Sequence, residues 1–398
     1  MQISGSLKSP SQLNSGDNLD IAKRLLQAGS NDAAIAILDK LVSMQPDNLL
    51  AREYLFDAYF QSRRWSKAIE VNKRLLELNP NSGKYWQQRL HALNNNKDFD
   101  QAAALGERLL GQRGEDPITL NTLKICFFNL GRTDAAIRCG QRSMELADKQ
   151  AWKRRQGSAP SVNVSRQDKK LISFSLWGAN AIYNYGAIIN CRLARKHLPG
   201  WICRFYVGPG VPQTVKQFLF NEEAEIVEAS MHPETPLQCL RFLPLADDRI
   251  ARVIFRDCDS RLGSEEAELV GDWLESGYPY HVIRAHVLHN ELILAGLWGG
   301  CGGAIEIEKL IAEYFSFAKT NKYGHDQKML GSKVWPLIRN RCLVHDRFYE
   351  LAGVETRKLD DRFKNLGAGY QKHEAVLQEA AEHGIEPLKE LVTAPVWR

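Results

Sequence analysis

One dipeptide pattern recurs along the first third of the chain at a constant step of 34 residues: Ala34-Ile35, Ala68-Ile69, Ala102-Ala103 and Ala136-Ile137. The segments just before them also match, from Gly29-Ser30-Asn31-Asp32 through Arg64-Trp65-Ser66 and Lys97-Asp98-Phe99-Asp100 to Gly131-Arg132-Thr133-Asp134. Pro46, Pro80 and Asp116-Pro117 follow helical stretches at the same phase. A fixed period of this length means one supersecondary unit copied several times, each burying its apolar face only against its neighbours. The alanines allow two helices to approach closely. Leu38, Leu41, Leu75, Leu76, Leu109 and Leu110 form the apolar stripe between them.

The period and phase resemble tetratricopeptide (TPR) repeats, about three and a half of them over residues 30–148. The implied fold is a short all-α solenoid whose concave face binds a protein partner, a peptide or a neighbouring domain. The bland alternative is that the helices only pack on a neighbouring domain or form a homodimer interface. Residues 1–29 read as a polar segment and a first helix. Residues 149–170 mix Gly, Ser and Pro with Lys and Arg and read as a basic linker. Such a linker is a solvated connector or a contact for an anionic membrane surface.

From residue 171 the pattern changes to alternating strand and helix. Residues 171–177, 202–207, 224–228 and 253–255 are apolar runs of strand length. Residues 185–198, 212–220 and 237–246 read as helices between them. This alternation implies an α/β domain with a mostly parallel, Rossmann-like sheet covered on both faces. Ligands in such sheets bind outside the carboxyl ends of strands. Asp257-Cys258-Asp259 sits at such an end, so its two carboxylates can address one point. Hard divalent cations take that donor set. A charged turn after a strand is the plain alternative.

The order of elements over residues 171–350, with Phe174-Ser175-Leu176-Trp177-Gly178, then Leu240-Arg241-Phe242, then Phe255-Arg256-Asp257-Cys258-Asp259-Ser260-Arg261, resembles a bacterial GT-A glycosyltransferase. The resemblance implies a nucleotide-sugar donor, UDP-linked by class habit, and Mn²⁺ or Mg²⁺. Asp259 would ligate the metal, and Asp257 the metal or the donor ribose. Arg241, Trp177, Arg256 and Arg261 would lie at the donor, and His345 would be a late metal ligand. The stretch Tyr280–His289 resembles an Arg-Asp-His-x-x-His element, which makes His286 and His289 catalytic candidates. Ala285 stands where that element has its aspartate. Asp326, in Gly324-His325-Asp326-Gln327, is a candidate base for an inverting reaction, or a first-turn helix residue. The glycines of 294–303 would shape the sugar pocket, cradle phosphate or form a turn. The acceptor would be a glycan, a lipid-linked glycan or a protein. Residues 351–398 read as a helical extension.

Competing readings are a TPR adaptor carrying a degenerate transferase domain and a HAD-like phosphatase. The phosphatase reading suffers because its nucleophile normally sits on the first strand. A net charge of +5 over 398 residues does not point to nucleic acid. Eight scattered cysteines without a Cys-x-x-Cys pair speak against a cysteine zinc site or a disulfide framework. With no apolar leader and no run of about 18 apolar residues, a cytoplasmic protein without a membrane span is expected, peripheral at the inner membrane only if the linker binds lipid.

Overall fold

The computed structural model describes residues 15–155, 169–317, 324–369 and 372–393. The chain divides into two compact units, Met1–Cys139 and Gly140–Arg398.

The first unit is a run of antiparallel helices: α1 (Ser15–Gln27), α2 (Asn31–Met44), α3 (Leu49–Gln61), α4 (Trp65–Leu78), α5 (Gly83–Asn95), α6 (Phe99–Arg113), α7 (Pro117–Asn129) and the start of α8 (Thr133–Lys153). The sequence period reappears as repeated geometry. Ala34, Ala68, Ala102 and Ala136 are all fully buried. Asn48, Ser82 and Asp116, again 34 apart, cap α3, α5 and α7 by accepting from Ala51, Tyr85 and Thr119 amides. Such caps satisfy amides that have no partner inside the helix.

Each helix pair closes through a left-handed residue at Gly29, Arg63, Lys97 and Gly131, with φ of 74, 59, 67 and 72°. The amide after each one donates back five residues, as in Ser30 to Leu25 (2.9 Å) and Arg132 to Phe127 (2.8 Å). This is a Schellman closure, in which glycine is the unstrained residue. Arg63 and Lys97 hold the same turn with a Cβ present.

The second unit contains β1 (Lys170–Leu176), α9 (Ala181–His197), β2 (Trp201–Val207), α10 (Gln213–Asn221), β3 (Glu225–Glu228), β4 (Arg252–Phe255), α11 (Ser264–Ser276), β5 (Tyr280–Arg284), β6 (Trp298–Gly300), α12 (Ile307–Phe317), α13 (His325–Met329), α14 (Trp335–Ile338), β7 (Cys342–Asp346), β8 (Glu355–Lys358) and α15 (His373–Glu382). The eight strands form one mixed sheet in the order β3-β2-β1-β4-β6-β5-β7-β8. Only β6 runs antiparallel, to both β4 and β5. The inner strands are largely buried along their length because the sheet is covered on both faces.

Three local expectations change. Residues 237–246 form a 3₁₀ rather than an α-helix, with Pro244 inside it. The segment read as a helical extension contributes strand β8 and one helix, α15. The glycine stretch is neither a phosphate cradle nor a loose turn at Gly299 and Gly300, which lie in buried strand β6. A Cβ on Gly299 would sit 2.8 Å from the Val253 carbonyl oxygen and 3.3 Å from the Trp273 ring. Glycine lets β6 lie flat between its neighbours. The expected basic linker falls mostly in residues 156–168, outside the described residues.

Candidate functional site

After β1 the chain builds β2 and β3 on one side, then returns to place β4 on the other side of β1. The direction of sheet growth therefore reverses between β1 and β4, and a crevice opens at their carboxyl ends. A cavity of about 590 Å³ occupies that position. Its walls come from the β1–α9 loop (Trp177 to Asn180), Arg241 and Gln238, the Asp257-Cys258-Asp259 turn, Ala295, and Asp326 with Gln327.

Asp257 and Asp259 both line the cavity, while Cys258 between them is buried and donates weakly to the Ser175 carbonyl (3.6 Å). Burial pushes the Cys258 thiol well above its ordinary value. Burial, and then the charge of Asp257, raise the Asp259 carboxyl to about 6. Backbone alone faces the two carboxylates on one side. A Cβ on Gly296 would lie 2.7 Å from the Asp257 carboxyl carbon, and one on Gly369 would lie 3.0 Å from that of Asp259. Gly296, from the glycine stretch of 294–303, thus backs Asp257, and Gly369, which the sequence did not point to, backs Asp259.

Arg241 links the walls. Its amide donates to Ser175 Oγ (3.0 Å), and Ser173 Oγ donates to its carbonyl (2.7 Å), so two alternate residues of β1 fix the turn that carries it. The guanidinium is buried. It donates through Nη1 to Asp257 and through Nη2 to Asp326 Oδ2 (3.0 Å). Burial alone would lower its proton affinity, but the two carboxylates outweigh this and raise it. Its Nε is buried with no partner among the described residues, a spare cationic donor beside the cavity. Asp326 also accepts from the Gln327 amide (2.9 Å). Both its oxygens are thus engaged, which suits holding Arg241 better than abstracting a proton.

Trp177 lines the cavity with 44% of its surface exposed. The remaining sequence candidates are placed elsewhere. Arg256 is buried against Glu266 and donates to the Phe255 (2.7 Å) and Trp298 (3.2 Å) carbonyls, so it braces the sheet interior instead of facing the cavity. Arg261 grips Glu379 on α15 through Nε (3.0 and 2.9 Å) and the Cys258 carbonyl through Nη1 (3.2 Å). It braces the Asp-Cys-Asp turn from behind.

His286 and His289 lie in a turn after β5. The His289 amide donates to the His286 carbonyl (2.8 Å), their rings meet at 5.6 Å, and neither lines the cavity. Ala285 is fully buried and its methyl group carries no ionisable proton, so no acid or base acts from this position.

His345 is the clearest displacement. It lies at the end of β7, buried, with Nδ1 2.7 Å from His281 Nε2 and Nε2 2.7 Å from Asp272 Oδ2. A neutral His345 satisfies both contacts by donating to Asp272 and accepting from His281. Burial lowers its proton affinity and that of His281. The ring is committed to bridging β5, β7 and α11, so it does not join the two aspartates. Among the described residues no group of three or more His, Cys, Asp and Glu side chains is arranged to hold a metal ion. Asp257 and Asp259 bring two carboxylates to the cavity, the donor type that a hard cation takes.

Sequence reading missed Ser173, Ser175, Asn180, Tyr183, Gln238 and Val392. The alternating serines of β1 were the available signal for the first two, since they place hydroxyls on one strand face.

A tetratricopeptide repeat family model matches residues 25–92. The N-terminal unit therefore carries such repeats. No curated protein matches the chain. Solved structures that resemble it include MamA from Desulfovibrio magneticus RS-1, 17% identical, covering 35% of this chain and 80% of that one with a TM-score of 0.32. Another MamA structure, described as MSR-1, is 19% identical and covers 36% and 82%, with a TM-score of 0.34. No helix among the described residues is long and apolar enough to cross a membrane.

Proposed function

We propose that this chain is an adaptor built on tetratricopeptide repeats whose second unit keeps a glycosyltransferase-type pocket for a nucleotide-sugar. The repeat match over residues 25–92 carries the adaptor half. Helix pairs stacked at a fixed period present an extended surface, and such surfaces hold protein partners. The partner is a protein segment or a second copy of the chain. Sedimentation of the full chain at rising concentration tests the second copy directly: a concentration-dependent rise in mass supports it.

The second reading is a working, metal-dependent glycosyltransferase, and the cavity at the β1–β4 switch point favours it. Asp257 and Asp259 would hold Mn²⁺ or Mg²⁺ against the donor diphosphate. When bound, the cation offsets negative charge on the leaving diphosphate. Arg241 adds fixed positive charge beside it, held in place by Asp326 and the β1 serines. Trp177 offers an exposed aromatic face to a nucleobase. The UDP-linked donor and the glycan, lipid-linked or protein acceptor follow from the sequence resemblance alone.

A screen of nucleotide sugars with the full chain and Mn²⁺, read as nucleotide release, separates the readings. Turnover abolished by Asp259→Asn supports the transferase. Binding without turnover, on any acceptor class, supports the adaptor. Phosphoester hydrolysis without sugar transfer would point instead to a phosphatase and sink both.

A further inference from the structure

The cavity has one wall that comes from far along the chain. Val392 lines it alongside Trp177 and Asn180. The Val392 amide donates to the Ala179 carbonyl (2.8 Å), and the Val392 carbonyl accepts from the Ala181 amide (3.0 Å). The two stretches form a short parallel bridge centred on Asn180. The approach to this bridge is anchored. Ile385 is buried in the core of the second unit, Leu388 and Leu391 pack against that core, and the Leu388 amide donates to Tyr185 Oη (2.7 Å).

Ala181 opens α9, so its amide has no acceptor inside the helix. Its partner is the carbonyl of Val392. Asn180 is the cap of the same helix and accepts from the Ile182 amide (3.0 Å). The β1–α9 loop is therefore held at Gly178 by the Pro209 carbonyl (2.8 Å) and Asn184 (3.1 Å), at the start of α9 by its own cap, and at Ala179 and Ala181 by Val392 of residues 385–393.

We propose that residues 385–393 are a positioning strap that sets the Trp177–Ala181 wall and thereby controls how tightly the cavity holds a nucleotide. The inference rests on the nucleotide-sugar reading of the cavity, and adds to it a part of the chain that carries none of the Asp-Cys-Asp chemistry. Ile385 is buried and the Leu388 amide is bonded to Tyr185, whereas the contact of Val392 with the wall, among the described residues, is two backbone hydrogen bonds and one half-exposed side chain. Such a segment can detach locally without unfolding the core. A wall that must first be re-formed lowers apparent affinity by the fraction of molecules in which it is already in place.

The test uses three forms of the otherwise full chain: one ending at Lys389, one ending at Thr393, and Val392→Pro, which removes the amide that donates to Ala179. Hydrogen exchange at the Ala181 amide reads the wall without any ligand. UDP with Mn²⁺ reads the cavity. The chain ending at Thr393 should match the full chain in both. The chain ending at Lys389 should exchange at Ala181 about ten-fold faster or more and bind UDP roughly ten-fold more weakly, with its unfolding midpoint close to that of the full chain. Val392→Pro should shift both readouts in the same direction by a smaller factor. Unchanged Ala181 exchange in the chain ending at Lys389 overturns the strap. So does unchanged UDP affinity where the full chain binds. If the full chain binds no nucleotide, the donor reading fails, and the exchange result alone then decides whether residues 385–393 position the wall.

Discussion

Gly186 tests how the Asp257-Cys258-Asp259 turn is held. It lies inside α9, where glycine normally costs about 1 kcal/mol relative to alanine. On propensity alone, Gly186→Ala should stabilise the protein. The structure reverses that sign. A Cβ there would lie 3.0 Å from the Cys258 carbonyl carbon and 2.8 Å from Arg261 Nη1, and closer still to the Cys258 carbonyl oxygen. Comfortable carbon contacts begin at about 3.5 Å.

The obstacle is backbone in a turn already clamped by Arg261, whose own side chain is fixed on Glu379. Overpacking of this kind costs about 1–3 kcal/mol, and more where backbone must move. Because the obstacle is backbone, the upper part of that range applies, about 2–3 kcal/mol, and after a gain of about 1 kcal/mol in helix propensity a net loss of about 1–2 kcal/mol is expected. Gly271 in α11 is the control, because a Cβ there meets nothing within 4 Å among the described residues. Gly271→Ala should stabilise by about 0.5–1 kcal/mol. Guanidinium denaturation of both variants with unchanged slope gives the two values. A neutral or stabilising Gly186→Ala would refute the claim that α9 backs directly onto the carboxylate turn.

Other outcomes follow from single observations. Arg63 and Lys97 occupy left-handed turns that cost a non-glycine residue about 1–2 kcal/mol, offset in part by the flexibility glycine adds to the unfolded chain. Arg63→Gly and Lys97→Gly should each stabilise the repeats by roughly 0.5–1 kcal/mol in denaturant melts, and a loss at both sites would contradict the repeated closure. The Asp259 carboxyl, raised to about 6, binds a proton more tightly folded than unfolded, so its contribution to stability is present at low pH and is lost as pH rises from its ordinary value through about 6. Unfolding midpoints between pH 4.5 and 7 should therefore fall more steeply in the native chain than in Asp259→Asn, and equal slopes would refute this. Arg256 and Glu266 are both almost fully buried, so Glu266→Ala should cost about 3–5 kcal/mol by stranding the guanidinium, whereas a loss below 1 kcal/mol would show that the pair is hydrated.

The repeats were legible in the sequence because their signal is geometric. A 34-residue step fixes where alanines must meet and where each turn must close, and Ala34 through Ala136 all prove buried. The strand–helix alternation likewise located β1, β2 and β4, since inner parallel strands read as mostly apolar runs bounded by turn residues. What sequence hid was pairing across distance. Arg256 and Arg261 stand beside the aspartates in sequence, yet one turns into the sheet interior toward Glu266 and the other turns back to Glu379. His345 ends a strand as expected, but His281 and Asp272 claim its ring from β5 and α11. Arg241 and Asp326 lie 85 positions apart and meet in one ion pair. Val392 could not be foreseen from local pattern at all, because its role comes from the backbone it offers to Ala179 and Ala181.

The most direct measurement is a calorimetric titration of UDP into the full chain, with Mn²⁺, with Mg²⁺ and with neither, repeated on Asp259→Asn and Arg241→Ala. The expected result is saturable binding that requires the cation and is lost in Asp259→Asn, with weaker binding in Arg241→Ala. No binding of UDP or of other nucleoside diphosphates under any cation, by a chain that unfolds cooperatively, would contradict the nucleotide-sugar pocket and leave the tetratricopeptide repeats as the functional part of the chain.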